Sequence, residues 1–268
     1  MNIVITGSTS GIGKELVKEF LSEDNVIFAG YRNRELISLQ NNVEYFYIDM
    51  TDRKYIVEAA NFIKSKVDKI DLLINVAGSV VAGPIETMDT DRLRKQFDIN
   101  TFSHIELTQN LLPVLKNGRV INISSMASFG IFPFISPYCA SKRALDILFN
   151  AFDVENQDNI KVISIKPGVI ATPIWEKAVK SNSESLVPEG KYGKEMNFLK
   201  DNALKNSNRG LKVEKVAKFI KKVATSKNPK SSYVIGLDAW IAMQASKLSQ
   251  DMINFIMRMG LKYKFREK

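Results

Sequence analysis

The sequence predicts a doubly wound α/β fold, in which helices cover both faces of a parallel sheet. Seven short runs rich in apolar and β-branched residues recur along the chain: NIVITG, VIFAG, VEYFYID, DLLINVAG, RVINISS, KVISIKPG and SYVIGL. A stretch with helical spacing of apolar residues follows each of the first six. Strands with few polar breaks that alternate with helices indicate a buried parallel sheet. No repeat, low-complexity tract or proline-rich linker divides the chain, so we expect one domain spanning residues 1–268 with about seven strands.

The elements follow in chain order with one interruption. Ile12, Leu16, Val17 and Phe20 form the apolar side of the helix after the first strand. After the sixth strand, a segment rich in Ser, Gly, Glu and Lys breaks the alternation, and we expect residues 174–209 to be a lid over the substrate. The seventh run, SYVIGL, resumes the pattern, and residues 239–268 are predicted to be a C-terminal helical extension.

Composition limits the classes of function. Hydrophobic residues make up 45% and charged residues 25% of the chain, as in an ordinary globular protein. With one cysteine and one histidine, the chain has no disulfide framework and no Cys/His metal site, so we expect no metal. The first strand begins at once, and no run approaches the roughly 20 apolar residues needed to cross a bilayer. We expect a cytoplasmic protein.

The positive charge is concentrated in the last third of the chain. The formal net charge is +9, and residues 191–268 carry 18 Lys and Arg against 6 Asp and Glu. No nucleic-acid-binding motif accompanies these charges, so we expect no nucleic-acid partner and interpret the region mainly as a solvated basic face. The terminal run DMINFIMRMGLKYKF has an apolar stripe that favours a core or subunit contact, while its basic residues also fit a helix at a membrane surface.

A glycine-rich turn joins the first strand to the first helix. In TGSTSGIG, glycines permit a tight turn and the close approach of the backbone to a pyrophosphate at the helix N-terminus. The spacing is not G-x-G-x-x-G, and a tight turn without a ligand would also fit, but its place between strand and helix favours a dinucleotide site. The residues that we expect to hold the cofactor here are Gly7, Ser8, Ser10, Gly11, Ile12 and Gly13.

The end of the second strand indicates which dinucleotide binds. An acidic residue there would bind the ribose 2′-hydroxyl, whereas an arginine accommodates a 2′-phosphate. The sequence FAGYRNRE has no acid before Arg32, so we predict NADP rather than NAD. Arg34 could help Arg32 to bind the 2′-phosphate, or it could be a solvated surface residue.

Tyr138 and Lys142 stand four residues apart and therefore share one face of a helix. An ammonium group near a phenol stabilises the phenolate, so we expect Lys142 to lower the pKa of Tyr138 toward neutrality. Ser125, at the end of the fifth run, is positioned to hydrogen-bond a reacting oxygen. Cys139, beside Tyr138, is expected to be a packing residue, and His104, four residues after Asn100, is expected to pack or meet solvent rather than react.

These motifs together resemble the short-chain dehydrogenase/reductase family, from Asn2 to about Thr172. TGSTSGIG is similar to its cofactor loop, DMTD to its adenine-contacting stretch, NVAG to its N-N-A-G, and PGVIAT to its nicotinamide-side segment. Val76 departs from the pattern, which should weaken a structural hydrogen bond. The resemblance implies a Rossmann-type fold and adds cofactor roles for Asp49, Met50, Asn75, Ala77, Gly78, Tyr138, Lys142, Pro167, Gly168, Ile170 and Thr172. It implies that Asn100, Ser125, Tyr138 and Lys142 are catalytic, with Tyr138 as general acid/base.

The sequence also suggests a substrate class. FGIFPFI lies between Ser125 and Tyr138, and IWEKAV follows Thr172, so we expect an apolar carbonyl or alcohol, unless these aromatics only close the core. Two alternatives stay open, an epimerase or dehydratase of nucleotide sugars and a non-catalytic regulator that senses NADP. We expect a homodimer or homotetramer.

Overall fold

A computed structural model of the protein describes residues 1–183 and 190–265. Within these residues, one parallel sheet contains seven strands in the order β3-β2-β1-β4-β5-β6-β7. The strands are β1 (Asn2–Ile5), β2 (Val26–Tyr31), β3 (Val43–Tyr47), β4 (Leu72–Asn75), β5 (Arg119–Ile123), β6 (Lys161–Pro167) and β7 (Ser232–Ile235). Each coincides with a run identified in the sequence, so the predicted fold class is confirmed.

Helices connect the strands and extend the chain beyond the last of them. They are α1 (Gly11–Phe20), α2 (Arg53–Lys66), α3 (Thr90–Phe97), α4 (Ser103–Leu115), α5 (Ser136–Glu155), α6 (Ile174–Ser181), α7 (Gly193–Arg209), α8 (Val213–Ala224), α9 (Leu237–Ala245) and α10 (Gln250–Phe265). A π-helical segment, Asp98–Phe102, separates α3 from α4.

The alternation of side chains along each strand divides the core into two layers. Ile3 and Ile5 of β1 pack with α1 and α8, whereas Val4 between them packs on the opposite side with α2, α4 and α5. Full burial of such a side chain contributes roughly 1.5–3 kcal/mol. The apolar stripes of the helices and the near-continuous apolar strands therefore explain why both faces of the sheet are covered.

The expectation of a helix after every one of the first six strands is wrong at β2. Only a short 3₁₀ turn, Arg34–Leu36, lies between β2 and β3. Leu36 is 46% exposed and Leu39 is 87% exposed, so this connection has no apolar stripe with which a helix could pack on the sheet.

The sheet order reverses between β1 and β4. The chain leaves β1 toward β2 and later returns to the other side of β1 through β4, which opens a crevice at the carboxyl ends of these strands. The predicted lid contributes α6 and α7 rather than irregular chain, while its residues 184–189 lie outside the described residues. The predicted C-terminal extension is helical in α9 and α10, and its residues 266–268 also lie outside them.

Candidate active site

The glycine-rich turn forms an open cradle between β1 and α1. Gly7 and Gly11 have positive φ angles of 64° and 53°, which favour glycine. A Cβ atom at Gly13 would lie 2.3 Å from the carbonyl oxygen of Gly7, so a side chain there would fill the turn. Ser8 donates from its backbone and side chain to the Gly30 carbonyl at 3.0 and 2.9 Å. Backbone amides at the start of α1 are therefore left facing a space suited to a pyrophosphate.

A second loop closes one side of this cradle. Thr6 Oγ1 accepts hydrogen bonds from the amides of Val76 at 2.9 Å and Ala77 at 3.1 Å. The Ala77 carbonyl lies 2.9 Å from His104 Nε2. The backbone amide of Val76 is thus hydrogen-bonded in this chain, although the Val76 side chain departs from the pattern noted in the sequence.

His104, which was expected to pack rather than react, supports this second loop, a role that the sequence did not indicate. Its side chain is fully buried, and burial together with the nearby Lys142 charge lowers its pKa to about 3. The neutral ring carries its proton on Nε2 when it donates to Ala77. No sequence motif indicates this role, because His104 contacts the carbonyl of Ala77, in a loop that is distant from it in the chain.

Three predicted cofactor positions have side chains engaged within the protein. Asn75 Nδ2 donates to Asn122 Oδ1 at 2.8 Å, which joins β4 to β5. Met50 lies in the core, and Asp49 Oδ1 accepts from the amide and hydroxyl of Thr51. Contacts of Asn75 and Met50 with a cofactor would therefore come from their main chain.

Positive charge collects beside the cradle near the end of β2. Arg32 is exposed directly after this strand. Lys177 of α6 donates to Ser10 Oγ at 3.0 Å, and burial and the charge of Arg32 both lower its pKa. The sequence did not identify Lys177, because it reaches the cradle from a segment far along the chain.

The predicted catalytic residues meet at the ends of β5 and β6. Ser125 Oγ accepts from the Ala127 amide at 3.1 Å, and Lys142 Nζ donates to the Ile123 carbonyl at 2.7 Å. Tyr138 and Lys142 lie one turn apart on α5, as their spacing predicts. Ser125, Tyr138 and Lys142 all line one cavity.

Asn100 lies behind this group in the π-helical segment. Its Nδ2 donates to the Ser79 carbonyl at 3.0 Å and to Ser141 Oγ at 3.1 Å, and its Oδ1 accepts from the Ser79 amide at 2.9 Å. A Cβ atom at Gly78 would lie 3.4 Å from Asn100 Oδ1 and 3.7 Å from Lys142 Nζ. The two side chains therefore approach each other beside Gly78, and π-helical segments of this kind are frequent at functional sites.

The pKa values in the chain alone differ from the expectation. Burial raises the pKa of Tyr138 to about 12, although a hydrogen bond with Ser125 opposes this change. Burial lowers the pKa of Lys142 to about 8, and nearby Asp146 opposes that change. The expectation that Tyr138 titrates close to neutrality is thus not met, because removal of the phenol from water outweighs the stabilisation of its anion.

The cavity has a volume of about 340 Å³ and is mostly apolar. Phe132, Pro133 and Ile135 form one wall, as predicted. The predicted residues Ile12, Gly78, Pro167, Gly168, Ile170 and Thr172 also line it. Helices α6 and α7 cover the cavity with Ile174, Trp175, Ala178, Val179, Leu199, Asn202, Ala203 and Asn206. Buried Cys139 lies outside this lining, and burial raises the pKa of its thiol to about 11.

Comparison with known proteins agrees with this geometry. A model of the short chain dehydrogenase family matches residues 1–183. The chain is 34% identical to a probable short-chain type dehydrogenase/reductase of Helicobacter pylori, over 87% of this chain and 88% of the relative. It is 33% identical to an NADPH-dependent 3-dehydrocapnine reductase of Ornithobacterium rhinotracheale, over 87% of each chain.

The fold is also found among solved structures. A short-chain dehydrogenase from Streptomyces avermitilis superimposes with a TM-score of 0.77 at 20% identity, over 100% of this chain and 98% of the other. The chain belongs to the short-chain dehydrogenase/reductase family and is an NAD(P)-dependent oxidoreductase.

Proposed function

We propose that the protein transfers a hydride between NADP and a lipophilic carbonyl compound or alcohol, with Tyr138 as general acid/base. One observation carries this proposal: Ser125, Tyr138 and Lys142 line a cavity whose other walls are mostly apolar. The glycine cradle opens beside the same cavity, since Ile12 belongs to both. A nicotinamide bound there would supply the hydride, and the protein would supply position and proton.

In the direction of reduction, Tyr138 acts as the acid. Its raised pKa keeps the phenol protonated at neutral pH, so a proton is available for the carbonyl oxygen. Ser125 hydrogen-bonds the same oxygen as negative charge develops on it. The ammonium of Lys142 then stabilises the phenolate, and Asn100 anchors a water that links Lys142 to solvent.

Two cations support NADP over NAD in this proposal. Arg32 lies where a 2′-phosphate is expected, and Lys177 adds a second positive charge beside the cradle. A guanidinium group matches phosphate geometry and would have no equivalent partner on a ribose hydroxyl. The name of the Ornithobacterium relative, an NADPH-dependent reductase, supports the same choice.

The two alternative functions fit the described residues less well. A regulator that only senses NADP would not need Asn100, Ser125, Tyr138 and Lys142 together. An epimerase or dehydratase of nucleotide sugars would need polar groups for a sugar and its phosphates. Outside the catalytic group, the cavity instead presents a largely apolar lining in which Asn202 and Asn206 are the polar side chains of α7.

Steady-state NADPH oxidation over aldehydes, quinones, ketosteroids and 3-oxoacyl thioesters tests the proposal. We expect turnover to increase with the apolar surface of the substrate. Leu199→Gln, which places an amide at the cavity wall, should raise KM for the best substrate, whereas Leu204→Gln on the exposed side of α7 should not. Turnover confined to small charged acids or sugar phosphates would contradict the proposal.

We also propose that α6 and α7 act as a lid. Helix α6 contributes both cavity residues and Lys177, so it can contact substrate and cofactor at once. Amide hydrogen exchange with and without NADP should show slower exchange of both helices in the bound protein. Equal protection in the two states would favour a rigid helix pair instead.

The oligomeric state and a cytoplasmic location are further proposals. The exposed apolar residues Ile147, Leu148 and Val154 of α5 support a homodimer or homotetramer. Analytical ultracentrifugation of the wild type and of Leu148→Glu should show a fall in mass in the variant.

A further inference from the structure

Helix α10 has two apolar faces, of which one is half-buried and the other is exposed. The inner face carries Ile253, Met257, Leu261 and Phe265, which recur every four residues and are half-buried. Phe265 packs against Phe198 of α7, with ring centroids 5.7 Å apart. Lys264 Nζ lies 3.1 Å from the centre of the Phe198 ring. These contacts attach α10 to the helix that covers the cavity.

The outer face exposes large apolar side chains. Met252, Phe255, Ile256, Met259 and Tyr263 follow helical spacing, and their exposed fractions are 50%, 65%, 49%, 51% and 90%. No residue of α10 is fully buried. Isolated exposed apolar residues are normal, but a continuous stripe of five on one helix indicates an interaction surface.

Basic residues border this stripe. Arg258 and Lys262 are exposed and fall at its edge by helical position, and Lys247 is exposed just before the helix. Asp251 is the acidic residue of the helix. An anionic surface would therefore attract this face, and the aromatic rings of Phe255 and Tyr263 suit the boundary between lipid headgroups and acyl chains.

We propose that the outer face of α10 binds the surface of a membrane that contains anionic lipids. The helix would lie in the plane of the interface, since no helix among the described residues is long and apolar enough to span a bilayer. Its five apolar side chains enter the interface, while Arg258 and Lys262 contact lipid phosphates.

A second copy of the chain is the competing occupant of this face. In a two-fold contact the same patch meets itself, so the two positive charges of Arg258 and Lys262, against the single negative charge of Asp251, would be brought together twice at the interface. Like charges in such an arrangement repel, whereas an anionic membrane pairs them with opposite charge. The charges therefore favour the lipid surface.

Membrane binding does not depend on the proposed function, but it would affect how substrates reach the cavity. Helix α10 contacts Phe198, and the neighbouring Leu199 lines the cavity. A membrane-bound α10 would thus hold the cover of the cavity close to the bilayer, where lipophilic substrates concentrate.

Vesicle co-sedimentation tests the proposal. Wild-type protein should bind phosphatidylcholine vesicles that contain about one third phosphatidylglycerol, bind pure phosphatidylcholine weakly, and lose binding as salt rises. Phe255→Ser with Ile256→Ser should reduce partitioning on the order of tenfold or more, because two apolar side chains no longer enter the interface. Arg258→Gln with Lys262→Gln should reduce binding to the anionic vesicles by a similar factor.

Leu39→Ser provides the matched control, since Leu39 is 87% exposed but lies before β3, outside α10. It should bind vesicles as the wild type does, and thermal unfolding should confirm that each variant is folded. Wild-type protein that fails to bind anionic vesicles, or equal binding by the Phe255 and Ile256 variant, would overturn the proposal. A fall in sedimenting mass for that variant without vesicle binding by the wild type would identify the face as a subunit contact and overturn it equally.

Discussion

The cofactor side and the substrate side of the protein are held in different ways. On the cofactor side, backbone geometry leaves little freedom: a Cβ at Gly13 would meet Gly7, and one at Gly7 would lie 3.0 Å from Ala77 Cα. On the substrate side, the end of α6 is anchored by the side chain of Asn182. Asn182 Oδ1 accepts from the Ala82 amide, and its Nδ2 donates to the Val80 carbonyl, both at 2.8 Å.

Because the two sides are held in different ways, substitutions could alter the substrate specificity of the protein without altering its cofactor site. In the proposed function, main-chain groups and glycines would hold a cofactor whose shape does not vary. The substrate side is instead lined by side chains such as Leu199 and Trp175, which belong to α6 and α7 and lie outside the sheet. The proposed catalytic group lies between them, with Ser125 just after β5 and with Tyr138 and Lys142 on α5.

The largest expected effect comes from Tyr138→Phe, at the boundary between the two sides. The ring is retained and only the transferable proton is lost, so kcat should fall on the order of 10² to 10⁴ while the Kd for NADPH stays nearly constant. Steady-state kinetics and cofactor fluorescence titration measure the two values. Normal turnover in a variant with an intact circular dichroism spectrum would remove Tyr138 from the mechanism.

Arg32→Ala should affect only the cofactor side. Loss of a hydrogen bond to a charged phosphate should weaken NADPH binding by roughly 1.5–3 kcal/mol and leave NADH almost unchanged. Calorimetric titration of both cofactors into wild type and variant measures this difference. If wild type binds NADH more tightly than NADPH, the choice of NADP is wrong.

The cofactor loop and the catalytic pair could be predicted from the sequence because the residues within each motif are close together in the chain. TGSTSGIG forms a single turn, and Tyr138 and Lys142 form a single face of a helix, so local spacing defines their geometry. The supporting role of His104 and the contact of Lys177 with the cradle were not identified, because each residue acts on a loop that is distant in sequence. Long-range packing also decides that Asn75 faces Asn122, which spacing alone cannot indicate.

His104 should make the cofactor side sensitive to acid. The folded protein keeps the ring neutral down to about pH 3, whereas the unfolded chain binds a proton below its usual pKa of 6.5. The unfolded state therefore holds more protons between these values, and the free energy of unfolding falls as pH drops below about 6.5.

In His104→Gln an amide can still donate to Ala77, but this titration is absent. The stability advantage of wild type over the variant should shrink by up to about 1.4 kcal/mol for each pH unit below 6.5. Urea unfolding at pH 7, 6 and 5 measures this change. Parallel pH profiles for the two proteins would show that His104 is not held neutral by burial.

Lys177→Met should give the smallest effect. This substitution removes a contact between the two sides, because Lys177 lies on α6 and hydrogen-bonds Ser10 of the cradle. The apolar stem is kept while the hydrogen bond to Ser10 is lost, so NADPH binding should weaken by about 0.5–1.5 kcal/mol. Lys180→Met, on the same helix without a contact to the cradle, provides the control. Equal affinities for NADPH in wild type and Lys177→Met would limit the role of α6 to the substrate.

Transfer of deuterium from the cofactor tests the central claim most directly. With NADPH dideuterated at C4 and an apolar ketone, a single turnover of wild type should yield an alcohol with one deuterium on the carbinol carbon, as mass spectrometry can show. Tyr138→Phe should bind the same cofactor equally well and form this product on the order of 10² to 10⁴ times more slowly. An alcohol that carries no deuterium, or equal rates in the two proteins, would contradict hydride transfer from NADPH with proton donation by Tyr138.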